Sequence, residues 1–420
     1  MQKRDLEVQL LTPVWTGNSA MVPDGLKMSG VIGSMRDIFE RLIRSHGGHT
    51  CNITGEAGKR CNYEKDKNIC PACAVFGCTG WARTFKLNWE LQPFNRIGTI
   101  LLPETDRCPR FRNRHASEEC YPGLTSIDTW MASVVNGKER GTIQPGQHDR
   151  ARQVLTQMRP AYAADPKTRQ RIPSSMEILV MRPHAAYDIG TLIAGLLSYM
   201  GDRYAIGAKV NQGWGFFDVV GADHVDEKVF SSEMAKLIAD TKAFSHRDWD
   251  ASLPNAKDIP RLEPIEVDMP NLFGQFGWGP NVALNRYPFD FLPLGFALQY
   301  RLRRIVKFWA QDCREEDADA YSNLLGGGGE IDVWAETHKR EITSYLPKHP
   351  LSWQEEGAFA EYLFGKSSGN DKMAGKIGVS HPYRLGNKWY VRMISTAEEQ
   401  YTNYLHEILE DQVNGGELKC

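Results

Sequence analysis

Two cysteines in Cys70-Pro71-Ala72-Cys73 can grip one metal ion from a single tight turn. Cys61 lies just before them, and Cys51, His49 and His46 lie a little further back. Thiolate and imidazole are the ligands of closed, tetrahedral zinc sites. The spacing therefore predicts a structural zinc held by Cys70, Cys73, Cys61 and Cys51, with His49 or His46 as a substitute for the last. The competing reading is a set of buried, reduced thiols, because a second Cys-x-x-Cys is missing. The chain has nine cysteines, an odd count with its crowding between 51 and 78. That suits thiols plus one metal site better than a disulfide framework.

A second kind of chemistry is close approach to a phosphate backbone. Ser29 is the expected N-cap of a helix whose apolar positions are Val31, Met35, Ile38, Phe39 and Leu42. Gly30 and Gly33 fall at its start, where each glycine costs roughly 1 kcal/mol relative to alanine. Either a phosphate approaches the free N–H groups of the helix end, or the helix packs tightly on a strand. Arg36, Arg41 and Arg44 are expected off the apolar face. The stretch 207–217 combines Gly207, Gly213 and Gly215 with Lys209, Gln212 and Trp214. It reads as a loop that admits a ligand close to its backbone, or as a structural turn before the next strand. Arg107, Arg110, Arg112 and Arg114 begin a basic, glycine- and proline-rich insertion over 103–175, with Tyr121, Trp130 and Tyr162 interleaved. Such a mixture suits nucleic acid or a solvated surface.

The elements that must position these residues follow from periodicity. Leu6 to Leu10 alternates as a half-buried strand, and 80–87, 176–181, 216–220, 377–380 and 389–394 read as further strands. Helices are expected over 125–135, 149–158, 189–200, 227–244, 294–312, 333–345, 353–362 and 396–412. With 420 residues, two domains are expected. We place a first unit at 1–225, a helix and linker at 226–269, and a second unit at 270–420. Tyr362-Leu363-Phe364-Gly365 echoes Ala74-Val75-Phe76-Gly77, which suggests the same unit twice. The net charge is only −2, so the composition as a whole does not announce a nucleic-acid binder. No apolar run is long enough to span a membrane, and the charged N-terminus lacks an apolar signal core, so a cytoplasmic protein is expected.

In order, these pieces are a strand, Thr12-Pro13-x-x-Thr16-Gly17, a helix with glycine and arginine, Cys-x-x-Cys-x-x-Phe-Gly, and the loop Gly213-Trp214-Gly215-Phe216. The set resembles the RAMP superfamily of CRISPR effector proteins. The two-unit layout is most similar to the first-numbered, Cmr1-type subunit of the type III-B, or Cmr, RNA-targeting complex. The resemblance implies an α+β fold of two ferredoxin-like (RRM-like) units, with a long insertion in the first and a zinc-knuckle segment. It also implies a non-catalytic subunit that binds the 3′ part of a CRISPR guide RNA and helps admit target RNA beside other RAMP subunits. The RNA-binding residues it implies are Ser29, Gly30, Gly33 and Arg36, then Lys209, Gln212 and Trp214, then Arg303 and Arg304 of the second unit.

The alternative function is a RAMP-type endoribonuclease acting on target or precursor CRISPR RNA. Its one candidate in the loop after the first strand is Asp24, with His46 and His49 available to metal-free chemistry. A zinc-dependent hydrolase is a third reading, but the cysteine-rich set looks closed rather than open.

Overall fold

The computed structural model describes residues 2–16, 25–51, 60–91, 162–165, 170–241, 259–275, 290–292, 294–295, 298–299, 302, 363–365, 375–397 and 399–414. Asp24, Arg107 to Arg114, Arg303, Arg304 and the expected helices at 125–135, 149–158, 333–345 and 353–362 lie outside the described residues. The described chain forms two compact units. The first takes in residues up to 91, from 162 to 210, and from 214 to 261; the second takes in 211–213 and those from 262 onward.

The first unit is a four-stranded antiparallel sheet with helices on one face. Strand β1 (Gln2–Leu10) buries Leu6, Val8 and Leu10 and exposes Lys3, Asp5 and Glu7, as a period of two requires. Helix α1 (Met28–Ser45) buries Val31, Met35, Ile38, Phe39, Leu42 and Ile43. Each such side chain contributes about 1.5–3 kcal/mol when fully buried. Two short helices, α2 (Tyr63–Asp66) and α3 (Pro71–Phe76), carry the cysteine segment and lead into β2 (Phe85–Trp89). Residues 80–84 therefore turn rather than extend. Strand β3 (Ser174–Val180), helix α4 (Ile189–Arg203), strand β4 (Phe217–Val219) and helix α5 (Glu227–Asp240) complete the unit.

The strand order is β2-β3-β1-β4. Leu6 pairs with Met176, Leu87 with Ile178, and Val8 with Val219, all antiparallel. With α1 after β1 and α4 after β3, this is the β-α-β-β-α-β order of a ferredoxin-like unit. Helix α5 docks on α4 where Gly195 leaves room: a Cβ there would lie 2.6 Å from Phe230. The other face of the sheet carries Lys3, Asp5, Glu7, Lys86, Asn88 and Glu177, with Lys3 paired to Glu177 at 2.8 Å. An RRM stacks bases on aromatic side chains of its sheet. These described positions offer none.

After β1 the chain cannot continue its ladder, because Pro13 has no N–H. Leu11 and Thr12 instead donate to the Phe216 carbonyl at 2.9 and 3.1 Å, and the Gly215 N–H donates to the Pro13 carbonyl at 2.9 Å. The Ile206 N–H donates to the Gly215 carbonyl at 2.9 Å. The segment 11–16 is thus stitched to the glycine-rich loop.

In the second unit, β5 (Ile265–Glu266), helix α6 (Met269–Gln275), β6 (Ile377–Val379), β7 (Tyr383–Leu385), β8 (Lys388–Val391), β9 (Met393–Ser395) and helix α7 (Glu399–Asn414) follow in order. They make two small sheets, β5-β8-β7 and β6-β9. The Phe-Gly echo has matching local geometry. Gly77 and Gly365 both take positive φ, at 88° and 84°. The Val75 carbonyl accepts from the Thr84 N–H just before β2, and the Leu363 carbonyl accepts from the Lys376 N–H just before β6. Gly213 also belongs to this unit, and its carbonyl accepts from the His381 N–H at 3.3 Å. Burial lowers the His381 pKa to about 3, and its Nδ1 accepts from the Gly295 N–H at 2.9 Å. No helix among the described residues is long and apolar enough to cross a membrane.

Two glycines should respond oppositely to alanine. Gly215 has φ +78°, and a Cβ would sit 1.9 Å from the Ile206 carbonyl oxygen. Gly215→Ala should therefore lose about 2 kcal/mol or more of unfolding free energy in a urea titration. Gly33 has nothing within 4 Å of such a Cβ, so Gly33→Ala should be neutral or gain up to about 1 kcal/mol. Similar losses at both would show that the helix and loop packing is misassigned.

Candidate metal centre and nucleic-acid interface

Cys70 is the N-cap of α3, with Pro71 in the first turn. Its sulfur accepts the Cys73 N–H at 3.4 Å, so the Cys-x-x-Cys turn is the start of a helix. Cys61 accepts the Cys70 N–H at 3.3 Å, and the Cys51 and Cys73 sulfurs are 3.5 Å apart. All four sulfurs lie within 4.8 Å of one another and all four residues are buried. A zinc tetrahedron with bonds of about 2.3 Å has sulfur–sulfur edges of about 3.8 Å. The cluster has the donors, the count and the size to hold such an ion. His46 and His49 are exposed and outside this group, so Cys51 completes it.

Such a nest cannot ionise uniformly by itself. Hydrogen bonds from Cys61, then from Cys70 and Cys73, pull the Cys51 thiol well below its ordinary value. Hydrogen bonding to Cys51 and its neighbours pushes Cys73 well above its own, and burial raises Cys70. Against the opposing Cys51, hydrogen bonds from Cys70 and Cys73 lower Cys61 as well, so the four thiols split into two that ionise readily and two that do not. A divalent cation removes the conflict by taking every sulfur as a thiolate.

Arg36 comes to this cluster. Its side chain is only 15% exposed. The guanidinium donates to the Glu40 carboxylate at 2.8 Å, the Gly77 carbonyl at 2.8 Å and the Cys73 sulfur at 3.1 Å. Burial alone would lower its pKa, but Cys73 and Glu40 outweigh that and raise it. Burial in turn pushes Glu40 up to about 7, against the pull of Arg36. Arg36 stays out of the buried apolar set of α1, as expected, but the α3 segment covers its guanidinium.

The glycine-bearing residues form a separate surface. Helix α1 starts two residues earlier than expected, so its N-cap is Lys27, whose side chain makes no cap hydrogen bond, and not Ser29. Thr16 replaces the cap: its Oγ1 accepts the Lys27 N–H at 2.7 Å and donates to the Gly25 carbonyl at 3.0 Å. Gly30 closes on Thr16, with a would-be Cβ 3.1 Å from the Thr16 methyl, which is the packing reading. Gly33, in the second turn, faces open space, so packing does not account for it. Ser34 then joins helix to loop, its Oγ accepting the Gly207 N–H at 3.0 Å. The Trp15 carbonyl accepts the Ala208 N–H at 2.8 Å.

Lys209 takes φ +58°, a left-handed conformation unusual outside glycine. Its Nζ lies 4.0 Å from the centre of the Trp15 ring, and burial lowers its pKa. Ser29, Gly30, Gly33 and Ala208 are exposed. The first turn of α1 has no acidic residue. The Gly30 and Val31 N–H groups donate to the Lys27 carbonyl, so the surface offers small exposed residues, the positive end of the helix and the Lys209 cation, which suits a phosphate backbone. Trp214 does not share it. It is 1% exposed and meets Trp15 edge-on at 5.6 Å, so its ring faces are core surface and cannot stack a base. Of Gln212 the structure gives the backbone alone, in a 3-10 turn (Val210–Gln212). Sequence reading missed Thr16 and Ser34; their signal was the hydroxyls flanking the glycines.

A family model of the RAMP superfamily matches residues 7–218, half of the chain, and it spans α1, the cysteine segment and the glycine-rich loop. The chain belongs to the RAMP superfamily. No curated protein matches it. Among solved structures, this RAMP chain is similar to apo Cmr1 from Pyrococcus furiosus, at 14% identity and TM-score 0.34, over 94% of this chain and 88% of that one. It is also similar to a chain of type III-B Cmr-beta bound to cognate target RNA, at 11% identity and TM-score 0.38, over 97% and 99%. A second state of Cmr-beta, with target RNA, AMPPnP and single-stranded DNA, gives 9% identity and TM-score 0.33, over 97% and 98%.

The burial of Trp214 sets its expected phenotype. Trp214→Ala should cost about 3–5 kcal/mol of stability, as core aromatics do. Where the variant is folded, by near-UV circular dichroism, its RNA affinity should equal that of the wild type. A folded variant of normal stability with weakened RNA binding would make Trp214 a stacking platform after all.

Proposed function

We propose that this RAMP protein is a non-catalytic, RNA-binding subunit of a type III-B CRISPR effector complex. Its role is to hold the 3′ part of the guide RNA and help admit target RNA, beside other RAMP subunits. One observation carries this reading: the Ser34–Gly207 hydrogen bond joins the open glycine face of α1 to the glycine-rich loop in a single surface. That surface combines the positive end of α1, close backbone access at Gly33 and the Lys209 cation. Family membership supplies the class of partner.

Holding a strand needs charge and close approach, whereas cutting one needs converging carboxylates or an acid–base pair. Residues 26–36 and 207–217 contain neither carboxylate nor histidine. Asp24, the residue a nuclease would use, lies outside the described residues. The ion in the cysteine cluster is, on this reading, a structural zinc: four thiolates close its coordination and leave no open position for substrate.

Filter binding of labelled guide and target RNA over a salt series tests the surface. Lys209→Ala should weaken binding and lower the slope of log K against log salt by roughly 0.7, the value for one phosphate contact on a single strand. Gly33→Ala should weaken binding while keeping full stability. Both effects should be equal on unrelated sequences, since phosphates carry no sequence information. Unchanged affinity in both variants would remove this surface from the RNA path.

A further inference from the structure

We infer that Arg36 is a positioning residue of the metal centre, which rests on the zinc reading above. A zinc ion with four thiolates leaves a net charge of about −2 in a buried site. Such a site needs donors to its sulfurs and a compensating cation, and such outer groups orient the ligands. Arg36 supplies both. Its guanidinium reaches Cys73 at 3.1 Å inside α3 and the Gly77 carbonyl at 2.8 Å at the C-terminal end of that helix. Cations are favoured at that end of a helix. Glu40, one turn on in α1, receives the remaining edge at 2.8 Å and fixes the plane of the group. The guanidinium is thus committed on three sides to α1 and α3. The arginine of the glycine-bearing helix is therefore an anchor between that helix and the metal knuckle rather than a phosphate contact. A lysine could give one of these bonds but not the planar fork.

The test uses the full chain as wild type, Arg36→Ala and Arg36→Lys, each loaded with zinc and, separately, with cobalt(II). Metal content is measured first, then the rate of zinc transfer to a chromogenic chelator, then the cobalt absorption spectrum. Arg36→Ala should release zinc about 10–100-fold faster than wild type, with Arg36→Lys between the two. The thiolate-to-cobalt charge-transfer band should shift in Arg36→Ala while the tetrahedral d–d bands remain. RNA binding of the zinc-loaded variant should keep the wild-type salt slope. If Arg36→Ala does not fold, the intermediate rate and shifted band of Arg36→Lys decide. Wild-type release and spectra in the variants overturn the inference and leave the zinc site standing. A wild-type protein that takes up no metal overturns both. Retained metal with a salt slope reduced by roughly 0.7 returns Arg36 to the RNA.

Discussion

Four sulfurs crowded within 4.8 Å in a buried site are an electrostatic problem that the fold must solve. They cannot all ionise without a cation, and unionised they make only weak hydrogen bonds. The chain around them is arranged as if for that cation. Cys70 caps a helix too short to persist by itself, and only tertiary anchors keep its six residues folded. Those anchors are the sulfur cluster on one side and the Arg36 fork on the other. Trp81 adds a third, donating from its indole N–H to the Ala74 carbonyl at 3.1 Å.

The same helix that meets the cluster presents the exposed glycine surface. The N-terminal turns of α1 carry Gly30, packed on Thr16, and the open Gly33, and Arg36, Glu40 and Arg44 follow along the helix. The metal segment therefore sets the position of α1, and α1 sets the position of Gly33 relative to Gly207 through Ser34. The cysteine cluster and the glycine surface are linked by the packing of one helix. Loss of the ion should loosen the surface without removing any residue from it.

Much of this was legible in the chain. The alternation of Leu6, Val8 and Leu10 fixed a strand and its buried face, and the spacing of Val31, Met35, Ile38 and Leu42 fixed a helix. The Cys-x-x-Cys spacing named two members of the sulfur cluster, and neighbouring cysteines named the rest. Local pattern failed where tertiary partners decide. Ser29 has the chemistry of an N-cap, but Thr16, held by the turn at Pro13, reached the helix end first. Arg36 was placed off the apolar face, but a helical wheel cannot show that α3 would cover it there. Trp214 looked available because glycines flank it, yet those glycines let the backbone fold tightly enough to bury it against Trp15. The glycine cost at Gly33 was the informative signal, since no packing partner explains it.

X-ray absorption at the zinc edge of the purified full-length protein tests the central claim most directly. A first shell of four sulfur atoms at about 2.3 Å is expected, with no nitrogen or oxygen scatterer. A mixed shell with light atoms at about 2.0–2.1 Å would bring a histidine or water into the site and open it to chemistry. Absence of zinc from the protein would contradict the claim outright and leave the four cysteines as buried thiols.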